Sequence, residues 1–298
     1  MRRNRSSRCV ILGLFVALNF GLYSCYEPEE GCLDVAAKNF QVDADRDCPD
    51  GCCEYPSLKL ILSHRVGEQG NDEPLRYLTT VYTDAQRQVF RLQKMQYYLS
   101  NFLLHAADGT TASVTDLLSV QSYNTDGGLT DNQLTDDFLL INPSFSSTLT
   151  VGEIQVNGTF EAISFSLGLT ELANRTDTTS VEEGHPLGSI DDPMFVDQDQ
   201  GYAFLEAAIL RDTIASDTIP TDVSVVGTGQ RIDYFIPFDQ PFNLNPGYNI
   251  NISLHINYAT WLNAIEDVRN DSPEAIADKI VSGLSQAISF VEISADNI

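Results

Sequence analysis

The chain has 298 residues and carries 42 acidic against 17 basic side chains, a formal net charge of −25. A surface this negative disfavours nucleic acid and anionic lipid as partners and attracts cations, although solubility alone accounts for most of the carboxylates. The length is enough to bury a full core, as one large β domain or two small ones.

Residues 1–24 read as a lipoprotein signal peptide. Arg2, Arg3, Arg5 and Arg8 form a basic start, and Val10 to Phe20 is an apolar run far too short for a permanent membrane span. Leu22-Tyr23-Ser24-Cys25 resembles a lipobox, which makes Cys25 the expected lipidation site and the lipid the expected membrane anchor. The expected location is therefore the bacterial cell envelope, on the outer membrane, facing either the periplasm or the surface. Removing that segment takes away four of the 17 basic residues and no acidic one, which leaves 13 against 42.

Residues 25–57 form a Cys-rich acidic segment. Cys32, Cys48, Cys52 and Cys53 precede Tyr55, and no cysteine follows in the chain. In an exported protein four such residues read as two disulfides, Cys32 joined to Cys52 or Cys53 and Cys48 to the other, because pairing the adjacent residues is strained. Asp43, Asp45, Asp47 and Asp50 recur at nearly every second position, as do Asp191, Asp192, Asp197 and Asp199 in a later loop. Calcium takes such oxygen ligands, yet the first run lacks the Gly and terminal Glu of an EF-hand, so both read first as solvated acidic turns.

From residue 58 the pattern is one of strands. Leu58, Leu60, Leu62, His64 and Val66 share one face of the first, which places an imidazole on an apolar surface. Such a ring must find a hydrogen-bond partner or a metal. Further strands are expected over 75–82, 88–93, 95–105, 160–169, 201–210, 231–238 and 248–258, with turn clusters between them. His105 ends one of these strands and His255 lies on the polar face of another, so both read as solvent-exposed or structural. The stretches 107–137 and 171–200 read as long loops, and Ser272-Pro273-Glu274 starts a helix expected over 272–289. The expected fold is all-β, an antiparallel β-sandwich or barrel-like domain over 58–298 with a C-terminal helix. No Gly-x-Ser-x-Gly elbow, His-Glu-x-x-His pair or phosphate-binding loop is present, so no enzyme is expected.

Four stretches resemble the MbnP-like copper-binding proteins. They are Ser63-His64-Arg65-Val66-Gly67, the block Val89 to Phe102 with Tyr97-Tyr98-Leu99-Ser100-Asn101, Gly184-His185-Pro186-Leu187 with Met194 and Gly201-Tyr202, and Trp261-Leu262 with the following helix. The resemblance covers residues 58–298, and the Cys-rich leader is similar to a module that precedes this domain in related lipoproteins. It implies a copper site with His64 as one ligand, His185 as the second and Met194 as a soft thioether. It also implies a di-haem peroxidase-like partner in members whose tryptophan is oxidised. This chain departs there, because Phe195 to Gln200 contains no Trp after Met194, so that chemistry is not carried over. Two functions stand: copper capture or storage by a lipid-anchored protein, or a structural or adhesive surface lipoprotein that keeps the fold without the metal.

Overall fold

The computed structural model describes residues 27–49, 51–143, 148–188, 194–211 and 219–296. The signal peptide, Cys25, Asp50, Asp191 and Asp192 lie outside these residues. In chain order the strands are β1 (Glu30–Gly31), β2 (Arg46–Asp47), β3 (Ser57–Glu68), β4 (Asn71–Pro74), β5 (Tyr82–Thr83), β6 (Val89–Ala106), β7 (Thr111–Ala112), β8 (Leu117–Tyr123) and β9 (Leu129–Thr135). They continue with β10 (Leu139–Ile141), β11 (Thr148–Glu153), β12 (Gly158–Leu167), β13 (Phe195–Asp197), β14 (Gly201–Leu210), β15 (Thr221–Val226), β16 (Ile232–Leu244), β17 (Asn249–Asn257) and β18 (Ile288–Asp296). The helices are α1 (Glu171–Asn174), α2 (Tyr258–Leu262) and α3 (Pro273–Leu284).

Two sheets face each other as a sandwich, with no closed barrel. The larger is built on β13-β14-β6-β12-β16, and the smaller runs β11-β3-β17-β18 with β4 on its edge. One core lies between them, where Leu58, Leu60 and Leu62 of β3 and Ile250, Ile252, Leu254 and Ile256 of β17 meet Tyr97, Ile163 and Phe165 of the larger sheet. The larger sheet is also covered on its other face. Tyr98, Tyr202, Phe204, Leu169, Leu187 and Met194 form a second cluster there, closed by Val120 and Leu134 of the β8–β9 hairpin. A sheet buried on both sides explains the continuous apolar runs of β6 and β14, where alternation would otherwise be expected.

Several elements depart from the sequence expectation. Residues 88–93 and 95–105 are one strand, β6, and 75–82 contributes only the first residue of β5. The expected loop 107–137 holds β8 and β9, where the exposed Leu117 and Leu129 and the buried Ser122 break the apolar–polar alternation. The helix stops at Leu284, earlier than its i, i+4 pattern, because Ile288 begins β18 and pairs with Ile256. Most ladders are antiparallel, but β17 pairs β3 in parallel, with Ile256 opposite His64. The start of α3 is as read: Ser272 Oγ accepts from Ala275 N at 3.2 Å and Pro273 opens the helix. Ser272→Ala should therefore lower unfolding free energy by about 1 kcal/mol in urea titration.

The Leu99-Ser100-Asn101 stretch makes a bulge in β6. Between Ser164 and Ser166 of β12 the partner residues on β6 are Leu103 and Ser100, one more residue than the ladder needs. Asn101 takes φ 60°, Ser100 Oγ donates to Gly168 O at 2.7 Å, and the buried Asp137 accepts from Phe102 N at 2.7 Å. Burial pushes the Asp137 carboxyl pKa up, while the backbone donors pull it down. The bulge thus has its own clamp, and it sets which β6 side chains on either side of it enter the inner core.

Candidate metal centre

His64 sits near the end of β3, half-buried, where the smaller sheet meets α2. Its Nδ1 lies 2.8 Å from Tyr258 Oη, at the first residue of α2. Tyr258 Oη in turn lies 2.9 Å from Tyr97 Oη, on the inner face of β6. Trp261 packs against both, with ring centroids 5.2 Å from Tyr97 and 4.7 Å from Tyr258. The local sequence builds this corner simply: β17 alternates apolar residues to Ile256, and Asn257 Oδ1 then caps α2 by accepting from Ala259 N. The same Asn257 carboxamide oxygen accepts from Gly67 N, which ties the end of β3 to the helix start.

Burial lowers the His64 pKa from 6.5 to about 4, so the ring is neutral at neutral pH, as a metal ligand must be. Burial likewise pushes both phenols far up and keeps them protonated. Nε2 of His64 has no hydrogen-bond partner among the described residues, and it is not one of the fully buried unpartnered atoms, so it reaches solvent. One ring nitrogen held by a neighbour and the other open is the arrangement found in imidazole ligands.

His185 lies on the other side of the larger sheet. Tyr98, next to Tyr97 but on the opposite face of β6, donates to Pro186 O at 2.7 Å, and Tyr202 Oη donates to Leu187 O. Asn174 closes the same loop, accepting from Tyr202 N at 2.9 Å and donating to Gln200 O at 3.0 Å. Within it both His185 nitrogens are engaged: Nδ1 accepts from Leu187 N at 3.1 Å, and Nε2 donates to Asp136 Oδ1 at 2.9 Å. The ring has no nitrogen left for a metal. Met194 is 1% exposed and fills the second apolar cluster.

The expected three-ligand set therefore does not assemble. The sheet stands between His64 and the pair His185 and Met194, and those two residues close and pack a loop. Of the expected ligands, only His64 keeps an open nitrogen, Nε2. His105 Nε2 meets Ser164 Oγ at 2.8 Å and its ring packs edge-on to Phe235, with no partner for Nδ1 among the described residues. His255 is buried beside Asp72, with Nε2 3.2 Å from Gly67 O, and Asp72 also pairs with Arg65.

A sequence model of the MbnP family matches residues 55–278. The chain belongs to the MbnP family. Among solved structures, MbnP from Methylosinus trichosporium is similar at 12% identity and a TM-score of 0.36, over 70% of this chain and 76% of that one. A search of curated proteins finds no match. In this MbnP-family chain the paired-aromatic block supplies both walls of the larger sheet, Tyr97 toward His64 and Tyr98 toward His185.

The Cys-rich segment holds two disulfides, Cys32–Cys53 and Cys48–Cys52, one of the two pairings expected. Its carboxylates cap backbone: Asp45 accepts from Glu29 N, and Asp47 from Leu33 N and Cys48 N. Asp197 likewise accepts from Asp199 N and Gln200 N. Among the described residues no three carboxylate or imidazole groups converge, and the one group of three potential metal-binding residues is Cys48, Cys52 and Cys53, which the disulfides occupy. The expectation missed Tyr258 and Tyr97 as partners of His64. The usable signal was Tyr258 itself, which continues the apolar face of β17, but its proximity to His64 depends on a parallel pairing that no local pattern announces.

Proposed function

We propose that this protein is a lipid-anchored copper-binding member of the MbnP family, without enzymatic activity, that takes copper at His64 Nε2. The observation that carries the reading is the neutral His64 ring with Nδ1 held by Tyr258 and Nε2 open. Imidazole suits copper in either oxidation state. A single protein donor leaves the other coordination positions to water or to a donor from outside, which favours capture and hand-over above storage. When bound, the ion would supply a site for a second, incoming ligand. His64 would hold it, Tyr258 and Tyr97 would hold His64, and the negative surface would raise the local cation concentration.

A second reading is a structural or adhesive surface lipoprotein with no metal. It is favoured by the engagement of both His185 nitrogens and the burial of Met194, the two donors that would have completed the site. Copper titration of the purified protein, followed by electron paramagnetic resonance, separates the two. The copper reading expects one ion per chain, lost in His64→Ala and retained in His185→Ala. The His185→Ala variant should instead lose about 1 to 3 kcal/mol of stability, since Leu187 N and Asp136 lose their partner. Binding that is absent in the wild type, or unaffected by His64→Ala, supports the metal-free reading.

A further inference from the structure

Three polar groups form an unbranched chain beside the outward nitrogen of His64. Tyr97 Oη lies 2.9 Å from Tyr258 Oη, which lies 2.8 Å from His64 Nδ1. Both tyrosines are 0% exposed, and neither hydroxyl has another hydrogen-bond partner among the described residues.

Proton counting decides the direction of donation. Each hydroxyl has one proton to give, and a neutral imidazole carries one. If Nδ1–H donated to Tyr258, Tyr258 would donate to Tyr97, and the Tyr97 proton would be buried with no acceptor among the described residues. If Tyr97 donates to Tyr258, and Tyr258 to a bare Nδ1, both hydroxyl protons are accepted and the imidazole proton sits on Nε2, facing solvent. A buried donor without an acceptor disfavours the first arrangement by roughly tenfold or more.

We infer that Tyr258, itself hydrogen-bonded to Tyr97, sets the tautomer of His64, holding its proton on Nε2 in the metal-free protein, and that Tyr258 is the positioning residue of the site. The positioning role rests on the copper reading above; the tautomer belongs to the metal-free protein alone. For Nε2 to act as a ligand, it gives its proton to solvent while Nδ1 takes one from water, so the ring stays neutral. Tyr258 Oη then turns from donor to acceptor and its own proton turns to Tyr97, whose proton loses its acceptor, so the hydroxyl pair opposes this tautomer, and Tyr258 is the group that contacts the ring in both.

The test combines nitrogen-15 spectra of metal-free protein labelled at histidine with copper titration of the wild type, Tyr258→Phe, Tyr97→Phe and His64→Ala. The wild type should show Nε2 protonated and Nδ1 as a hydrogen-bond acceptor. Tyr258→Phe should lose the acceptor signature at Nδ1, weaken copper roughly 10- to 100-fold and change the copper(II) resonance spectrum. Tyr97→Phe should keep the Nε2 proton, since Tyr258 still has Nδ1 to donate to. Unchanged signals from the other three histidines confirm that a variant is folded. A proton on Nδ1 in the wild type overturns the inference, as does Tyr258→Phe with wild-type affinity and spectrum. His64→Ala with wild-type affinity instead overturns the copper reading, and the metal-free spectrum then decides the tautomer by itself.

Discussion

Trp261→Ala should lower the unfolding free energy by about 3 to 5 kcal/mol, the largest single loss expected in this protein. The indole is fully buried, and it fills the space between the rings of Tyr97 and Tyr258. Its removal opens a cavity directly behind the pair that holds His64, so stability should fall and, on the copper reading proposed above, copper affinity with it. Trp261→Phe should behave differently. Nε1 of Trp261 is buried with no hydrogen-bond partner among the described residues, so the phenyl ring gives up volume but no bond. A loss below about 2 kcal/mol is expected for it in the same denaturant titrations. Equal losses in the two variants would mean that Nε1 matters to the fold in a way packing does not explain.

The second large effect is one of pH. The His64 pKa is lowered from 6.5 to about 4 in the folded state, so protonation is harder in the fold than in the unfolded chain. The resulting stability is fully present above pH 6.5 and is lost progressively as pH falls toward 4, where the unfolded state alone has taken up the proton. At about 1.4 kcal/mol per pKa unit the full loss is roughly 3 kcal/mol, and the solvent-facing side of the ring reduces it to about 2. His64→Gln should flatten the stability profile across that window by this amount in thermal and urea unfolding of the metal-free protein. Carboxylates titrating at the acid end act in both proteins and cancel in the difference. Parallel profiles for the two proteins would show that the imidazole is not held neutral by the fold.

Much of the fold was legible from periodicity. Leu58, Leu60 and Leu62 do face the core, β14 runs from Gly201 to Leu210 as read, and Ser272-Pro273 does open α3. Two surface strands were hidden: β8 buries Ser122 and exposes Leu117, and β9 buries only Leu134 and exposes Leu129, so neither shows a clean alternation. Ile288 belonged by spacing to the helix and by pairing to β18, because pairing with β17 outweighs local periodicity. The candidate site was only half legible. His64 was placed on the right face of the right strand. His185 was misjudged because its partner, Asp136, lies 49 residues earlier, and nothing near His185 in sequence reveals that its ring nitrogens are taken. Which face of a sheet a loop covers is a tertiary fact, and it separates His185 from His64.

The parallel pairing of β3 with β17 also fixes an order of events. His64 and Tyr258 are 194 positions apart, and the strand that seats His64 has no β17 neighbour until residues 249–257 exist. Long-range pairings of this kind close late in folding, after the loop entropy between them has been overcome. A chain emerging from its amino end therefore presents His64 as an ordinary flexible imidazole with an ordinary affinity for protons and metals. Only when β17 and Tyr258 have arrived is the ring buried, its pKa lowered and its Nδ1 held, so this corner takes its final form only after nearly the whole domain has been made.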